Sequence, residues 1–78
     1  MSEDIRLPKL SPSMREGMLI AWLKREGETV KKGEPLFQVE TDKAVMEVES
    51  PATGVLERIV KGPGQKVPVD TIIAVIST

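Results

Sequence analysis

Few residue types in this chain could do chemistry. It holds neither cysteine nor histidine, which removes the thiol nucleophile, the disulfide, the imidazole base and any Cys- or His-based metal site. Carboxylates, hydroxyls and amines remain. They are drawn together in Glu40-Thr41-Asp42-Lys43-Ala44, where one amine follows two carboxylates. Taken alone, that grouping is a solvated lysine in an acidic turn, and an exposed ion pair of this kind is worth ~0–1 kcal/mol. A chain so equipped either carries no reaction of its own or borrows chemistry from a group attached to it or bound by it.

Composition narrows the field further. The 78 residues make one small domain, 1–78, with no room for a second beside a catalytic core. Eleven basic residues stand against 12 acidic ones, for a net charge of −1, so the basic footprint of a nucleic-acid binder is missing. Trp22 and Phe37 are the only aromatics, too few for a base-stacking platform. Met1 to Asp4 is polar and acidic, unlike the start of a secretory signal, and no stretch approaches the ~18 apolar residues that span a bilayer. A soluble, reducing compartment is the default expectation. Gly62-Pro63-Gly64 lacks the following helix and the Gly-Lys-Ser/Thr pattern of a phosphate loop. The scattered carboxylates have no segment able to form a deep cleft, which argues against an autonomous hydrolase.

The elements that must position Lys43 are strands. Valine and isoleucine together number 15 against 6 leucines, and β-branched side chains suit a pleated, half-buried surface. Glycine and proline leave intervals that fit strands and are mostly too short for helices. The pattern predicts an all-β fold with strands near Ile5–Leu7, Gly17–Leu23, Thr29–Val30, Leu36–Glu40, Ala44–Glu49, Val55–Val60, Lys66–Val67 and Ile72–Ile76. Trp22 falls at period two with Ile20 and Met18, which reads as core or half-buried surface. Lys31 and Lys32 fall in a turn and read as solvated.

An internal repeat organises these strands. The shift that lays Gly17-Met-Leu-Ile-Ala-Trp-Leu-Lys24 on Gly54-Val-Leu-Glu-Arg-Ile-Val-Lys61 also lays Gly27 on Gly64, Val30 on Val67, and Leu36, Val39 and Thr41 on Ile73, Ile76 and Thr78. Neither half could bury its apolar face alone, so two short-stranded sheets related by a pseudo-two-fold axis must pack on each other. The central turn then corresponds to the joined chain ends, and the two belong at opposite ends of the molecule.

The register of the central hairpin follows from burial. With Asp42 and Lys43 as a two-residue loop, Val39 faces Met46, Phe37 faces Val48 and Gln38 faces Glu47, while Glu40–Val45 and Leu36–Glu49 are mixed pairs. A slip by one residue would pair Phe37 with Glu47 and bury carboxylates. Such tight loops favour glycine because they need positive φ, so a lysine in the second position carries a conformational cost.

Those residues carry a family resemblance. Glu40-Thr41-Asp42-Lys43-Ala44 resembles the modification motif of lipoyl domains from 2-oxo acid dehydrogenase complexes. Leu7-Pro-Lys-Leu-Ser-Pro-Ser-Met14 followed by Glu16-Gly17 is similar to that family's opening strand and surface loop, most of all to the pyruvate dehydrogenase type of dihydrolipoamide acyltransferase. The spacings of Gly27 and Gly54 from Lys43 also match, and the resemblance covers Ile5 to Ile76. It implies a flattened barrel-sandwich with lipoic acid amide-linked to Lys43 on a hairpin tip. The resemblance implies that Glu40, Asp42 and Ala44 fix the turn for recognition. It implies that Gly27 and Gly54 mark turns, and that Ser11, Pro12, Ser13, Met14 and Glu16 form a partner loop close to the tip. By pseudo-symmetry alone, that loop corresponds to Val48–Thr53 rather than to the tip, and a plain surface connection remains open for it.

The implied role is a swinging-arm carrier of acyl groups and reducing equivalents, without catalysis of its own. The implied partners are a lipoate ligase or lipoyl transferase, a thiamine-diphosphate-dependent decarboxylase, an acyltransferase core and dihydrolipoamide dehydrogenase, with neither nucleic acid nor membrane. The implied compartment is bacterial cytoplasm or the mitochondrial matrix. Biotinyl domains share the fold, but their lysine usually sits between two methionines, whereas Lys43 sits between Asp42 and Ala44. An unmodified docking module of the same complexes is the other alternative.

Overall fold

A computed structural model describes residues 1–78. Eight strands and no helix form: β1 (Ser2–Arg6), β2 (Glu16–Trp22), β3 (Thr29–Val30), β4 (Pro35–Glu40), β5 (Val45–Glu49), β6 (Gly54–Ile59), β7 (Lys66–Pro68) and β8 (Ile72–Ser77). They build two four-stranded antiparallel sheets, ordered β1-β8-β6-β3 and β5-β4-β2-β7.

The repeat is carried into the register pair by pair. Met18↔Glu40, Leu19↔Val39, Ala21↔Gln38 and Trp22↔Phe37 in one sheet match Val55↔Ser77, Leu56↔Ile76, Arg58↔Val75 and Ile59↔Ala74 in the other. Even the bulge recurs, between Leu19 and Ala21 and between Leu56 and Arg58. The β4–β5 hairpin has its counterpart in β8 and β1, where Ser77↔Ser2 and Ile76↔Glu3 answer Glu40↔Val45 and Val39↔Met46. One half of the pseudo-dimer is thus continuous at Asp42-Lys43, while its mate is closed by the two chain ends, where the Thr78 N–H donates to the Met1 carbonyl at 2.7 Å.

The core fills the space between the sheets. Leu19 and Leu56, Val30 and Val67, Leu36 and Ile73, and Val39 and Ile76 are repeat mates, and all eight are buried. Each such side chain contributes roughly 1.5–3 kcal/mol by leaving water. The halves differ at Phe37, whose mate is Ala74. Phe37 packs on Trp22 with ring centroids 5.1 Å apart, and the half-buried indole N–H donates to the Lys61 carbonyl at 2.8 Å.

The sequence-predicted register holds at Val39↔Met46, Phe37↔Val48, Gln38↔Glu47 and Glu40↔Val45. It fails at the base. Glu49 pairs with Pro35 rather than Leu36, because a bulge intervenes between Pro35 and Phe37. The bulge allows Leu36 and Phe37, neighbours in sequence, both to be buried. Met46 is 38% exposed although Val39 opposite it is buried, because β5 is an edge strand.

The hairpin tip and the chain ends are at opposite poles. β1 and β8 start from the paired termini and run to Leu7 and Thr71, ~20 Å away at ~3.3 Å per residue. There the Leu7 N–H donates to the Thr71 carbonyl, the Asp70 N–H to Leu7 and the Val69 N–H to Arg15. Arg15 in turn lines a groove against the tip. The whole molecule measures 32 × 20 × 18 Å.

Candidate functional site

The Asp42-Lys43 turn avoids the conformational cost that its sequence suggests. Asp70 is the only non-glycine residue with positive φ, so neither Asp42 nor Lys43 enters the left-handed region. The turn is closed by Thr41 instead. The Thr41 N–H donates to the Ala44 carbonyl at 2.9 Å, and its hydroxyl donates to the same oxygen at 3.1 Å. That hydroxyl accepts the Lys43 N–H at 3.3 Å and the Ala44 N–H at 3.4 Å. Threonine hydroxyls can close turns by this kind of local bonding, and Thr41 inside the motif is the sequence signal for it.

Lys43 and its neighbours Asp42 and Ala44 are exposed, as is Glu40 at the end of β4. The single ion pair of the molecule is Lys24–Glu34, at 3.8 Å and far along the chain. The Lys43 amine therefore has no partner, despite the adjacent carboxylates. An amine that holds nothing in place can be converted to a neutral amide without losing a contact. Val45, next along the chain, is 55% exposed, so an apolar side chain flanks the tip on the edge strand β5.

The partner-loop residues divide. Ser13, Met14 and Glu16 line, with Glu40, Thr41, Asp42 and Lys66, an open groove of about 390 Å³. Ser11 and Pro12 lie instead with Lys9 and Leu10 on a separate shallow surface. Met14 is only 5% exposed and accepts the Leu10 N–H at 3.2 Å on its sulfur. Packed in the core cluster, it anchors the loop and closes the floor of the groove. The pseudo-symmetric mate of this loop is remote from the tip, yet the Val69–Arg15 bond and the β2–β4 pairing bring residues 13–16 to it.

Gly27 and Gly54 lie away from the tip. Gly27 turns with φ +92°, as its repeat mate Gly64 does with φ +86°. Gly54 does not mark a turn. It begins β6, pairs with Val30, and passes so close to β8 that an added Cβ would collide with the Ser77 carbonyl oxygen. Its mate Gly17 makes the equivalent approach to Val39 and the Glu40 carbonyl.

A two-fold barrel-sandwich that raises one unpartnered amine at a hairpin apex, at the opposite pole from both chain ends, has the architecture of a prosthetic-group carrier domain. Comparison with known proteins agrees. The Biotin_lipoyl family, described as "Biotin-requiring enzyme", matches residues 3–76. The chain is 53% identical over 78 residues to the dihydrolipoyllysine-residue acetyltransferase component of the pyruvate dehydrogenase complex of Rickettsia prowazekii, covering 99% of this chain and 19% of that protein. It is 47% identical over 75 residues to the succinyltransferase component of the 2-oxoglutarate dehydrogenase complex of Cupriavidus necator, covering 96% and 18%. The chain spans about a fifth of the length of these curated relatives. Among solved structures, the lipoyl domain of the 2-oxoglutarate dehydrogenase complex from Azotobacter vinelandii superposes with a TM-score of 0.78 at 37% identity, covering 96% of this chain and 95% of that one. A long-chain acyl-CoA carboxylase superposes with a TM-score of 0.79 at 20% identity over 97% of this chain and 7% of its own, which speaks for the fold alone. The chain belongs to the Biotin_lipoyl family and, within it, to the lipoyl domains.

Proposed function

We propose that this domain carries lipoic acid in amide linkage to Lys43 and serves as the swinging-arm carrier of a 2-oxo acid dehydrogenase complex, with pyruvate as the 2-oxo acid. The observation that carries the proposal is the exposed, unpartnered Lys43 amine at the apex of a turn closed by other groups. When bound, lipoic acid supplies a dithiolane able to accept an acyl group and two electrons, which is the sulfur chemistry a chain without cysteine lacks.

The chain's own residues position and present. Thr41 and the β4–β5 ladder hold the turn, while Glu40, Asp42 and Ala44 give the surface beside the amine a shape and charge for a lipoate ligase or lipoyl transferase to recognise. Ser13 and Glu16 face the same groove and offer the decarboxylase a second point of contact. The two-fold β-frame keeps that surface clear of whatever is joined to the termini. Tethering to the rest of a complex would make each delivery intramolecular, at effective concentrations of order millimolar for short linkers. The further partners are the thiamine-diphosphate-dependent decarboxylase, the acyltransferase core and dihydrolipoamide dehydrogenase. The domain needs no catalytic group of its own. The relatives come from bacteria and, in a mitochondrial protein of Arabidopsis thaliana, from a plant, which supports bacterial cytoplasm or the mitochondrial matrix as the compartment.

The test is acyl loading. The lipoylated domain is incubated with the decarboxylase of a pyruvate complex and pyruvate, and separately with that of a 2-oxoglutarate complex and 2-oxoglutarate. Gain of one acetyl mass in the first reaction, with little gain in the second, supports the reading. Preferential succinyl loading would reassign the substrate, and no loading in either would overturn the carrier role.

A further inference from the structure

The pseudo-two-fold gives the lysine-bearing turn an internal control. Thr41 follows β4, and its repeat mate Thr78 follows β8. At the tip, the Thr41 N–H and hydroxyl both donate to the carbonyl of Ala44, the residue before β5, at 2.9 and 3.1 Å. At the far pole, the Thr78 N–H and hydroxyl both donate to the carbonyl of Met1, the residue before β1, at 2.7 and 3.2 Å. The same two-donor clamp therefore closes a strand pair whether or not a turn connects the strands. Closing the ladder accounts for those bonds at both poles.

What remains is specific to the tip. Only Thr41 also accepts, taking the Lys43 N–H at 3.3 Å and the Ala44 N–H at 3.4 Å. A hydroxyl has one donor and two acceptor lone pairs, and all three are used here within four residues. Drawing the Lys43 and Ala44 amides toward Thr41 fixes the backbone from which the Lys43 side chain departs, without glycine and without positive φ.

We infer that the Thr41 hydroxyl is a positioning group for the modification site: by accepting the Lys43 and Ala44 amides it holds the turn in the one conformation that a lipoate-attaching enzyme binds. This rests on the carrier reading and adds a residue to it. A ligase that binds one turn conformation has its apparent affinity reduced by the fraction of chains in that conformation. Loss of the hydroxyl therefore raises KM and leaves kcat, because the amine itself is unchanged once bound.

The experiment compares Thr41→Val, Thr41→Ser and Thr78→Val in the 78-residue chain. Backbone order parameters at Lys43 and Ala44 in Thr41→Val should fall from the rigid value of about 0.85 to below about 0.6. The ligase KM should rise, by up to about fivefold, the worth of one hydrogen bond, with kcat unchanged. Thr41→Ser restores both values, and Thr78→Val leaves both as in the parent. Unchanged order parameters in Thr41→Val overturn the inference. So does a mobile turn with an unchanged KM, or a Thr78→Val effect equal to that of Thr41→Val. A parent chain that the ligase refuses contradicts the carrier reading instead, and the order parameters still decide whether the hydroxyl holds the turn.

Discussion

Gly54→Ala should cost this domain far more than Gly17→Ala, although the two glycines are repeat mates on equivalent strands. At Gly54 an added Cβ collides with the Ser77 carbonyl oxygen and falls 2.8 Å from Ile76 Cγ2 and 3.0 Å from the Ser77 carbonyl carbon. Two of those three neighbours are main chain of β8, which is hydrogen-bonded on both sides, to β1 and β6. They can yield only if the sheet opens. At Gly17 the Cβ falls 2.6 Å from Val39 Cγ2, 3.1 Å from Met14 Cε and 3.4 Å from the Glu40 carbonyl oxygen. The two tight contacts there are side-chain ends, and the methionine terminus is flexible. Overpacking costs of ~1–3 kcal/mol put Gly54→Ala at the upper end and Gly17→Ala at the lower. The reduced entropy of the unfolded alanine chain offsets only ~0.4–1 kcal/mol in either case. For a domain of this size, each kcal/mol moves Tm by ~4–8 °C. Urea unfolding checks the ranking: both variants should keep the parental slope and shift the midpoint down, Gly54→Ala by more. A Gly54→Ala protein within about 0.5 kcal/mol of the parent, the usual spread of neutral surface changes, would refute the close-approach account. So would a larger loss at Gly17.

Other consequences are simpler to test. Asp70 adopts φ +73° where its repeat mate Gly33 adopts φ +92°; the Arg6 guanidinium donates to its carbonyl, not its side chain. Asp70→Gly should therefore raise stability by up to ~1 kcal/mol by relieving left-handed strain, and an unchanged or lower Tm would count against that strain. Phe37→Ala should cost ~3–5 kcal/mol, leaving a chain that binds hydrophobic dye and loses near-ultraviolet dichroism; a native-like near-ultraviolet spectrum and an unchanged Tm would contradict its place at the centre of the core. Trp22→Phe keeps the ring contact and removes the 2.8 Å bond to the Lys61 carbonyl, at a cost of ~1 kcal/mol in denaturant titration.

Much of this arrangement was legible in the residues because burial enforces it. A one-residue slip of β4 on β5 would bury carboxylates, so four of the five predicted hairpin pairs are observed. The glycine and apolar positions of the repeat announce the two sheets and their two-fold relation, whereas the order of strands within each sheet is seen only in the structure. What escaped depends on contacts distant in sequence or on backbone detail. The pattern places β1 at Ile5–Leu7, but the strand runs Ser2–Arg6, because its polar start is held by pairing with β8 at the other end of the chain. The bulge before Phe37 answers a packing need that no local pattern announces. The resemblance makes Gly54 a turn, but glycine signals either positive φ or a close approach, and only the fold tells which. The burial of the Met14 side chain is likewise invisible in the loop's sequence, because the core it enters is built from distant strands. Thr41 stood in plain view inside the motif, yet the amine and carboxylates around it have the more obvious chemistry.

For the carrier role, Lys43 must be the one amine that a prosthetic-group ligase finds. The direct measurement is intact mass followed by fragmentation of the chain after coexpression with a lipoate ligase and lipoate, beside Lys43→Arg and a parallel coexpression with a biotin ligase. The expected result is one lipoyl group per chain, located at Lys43, absent from a fully folded Lys43→Arg protein and not replaced by biotin. Modification at another lysine, an unmodified chain under conditions that lipoylate a control domain, or biotin on Lys43 would contradict it.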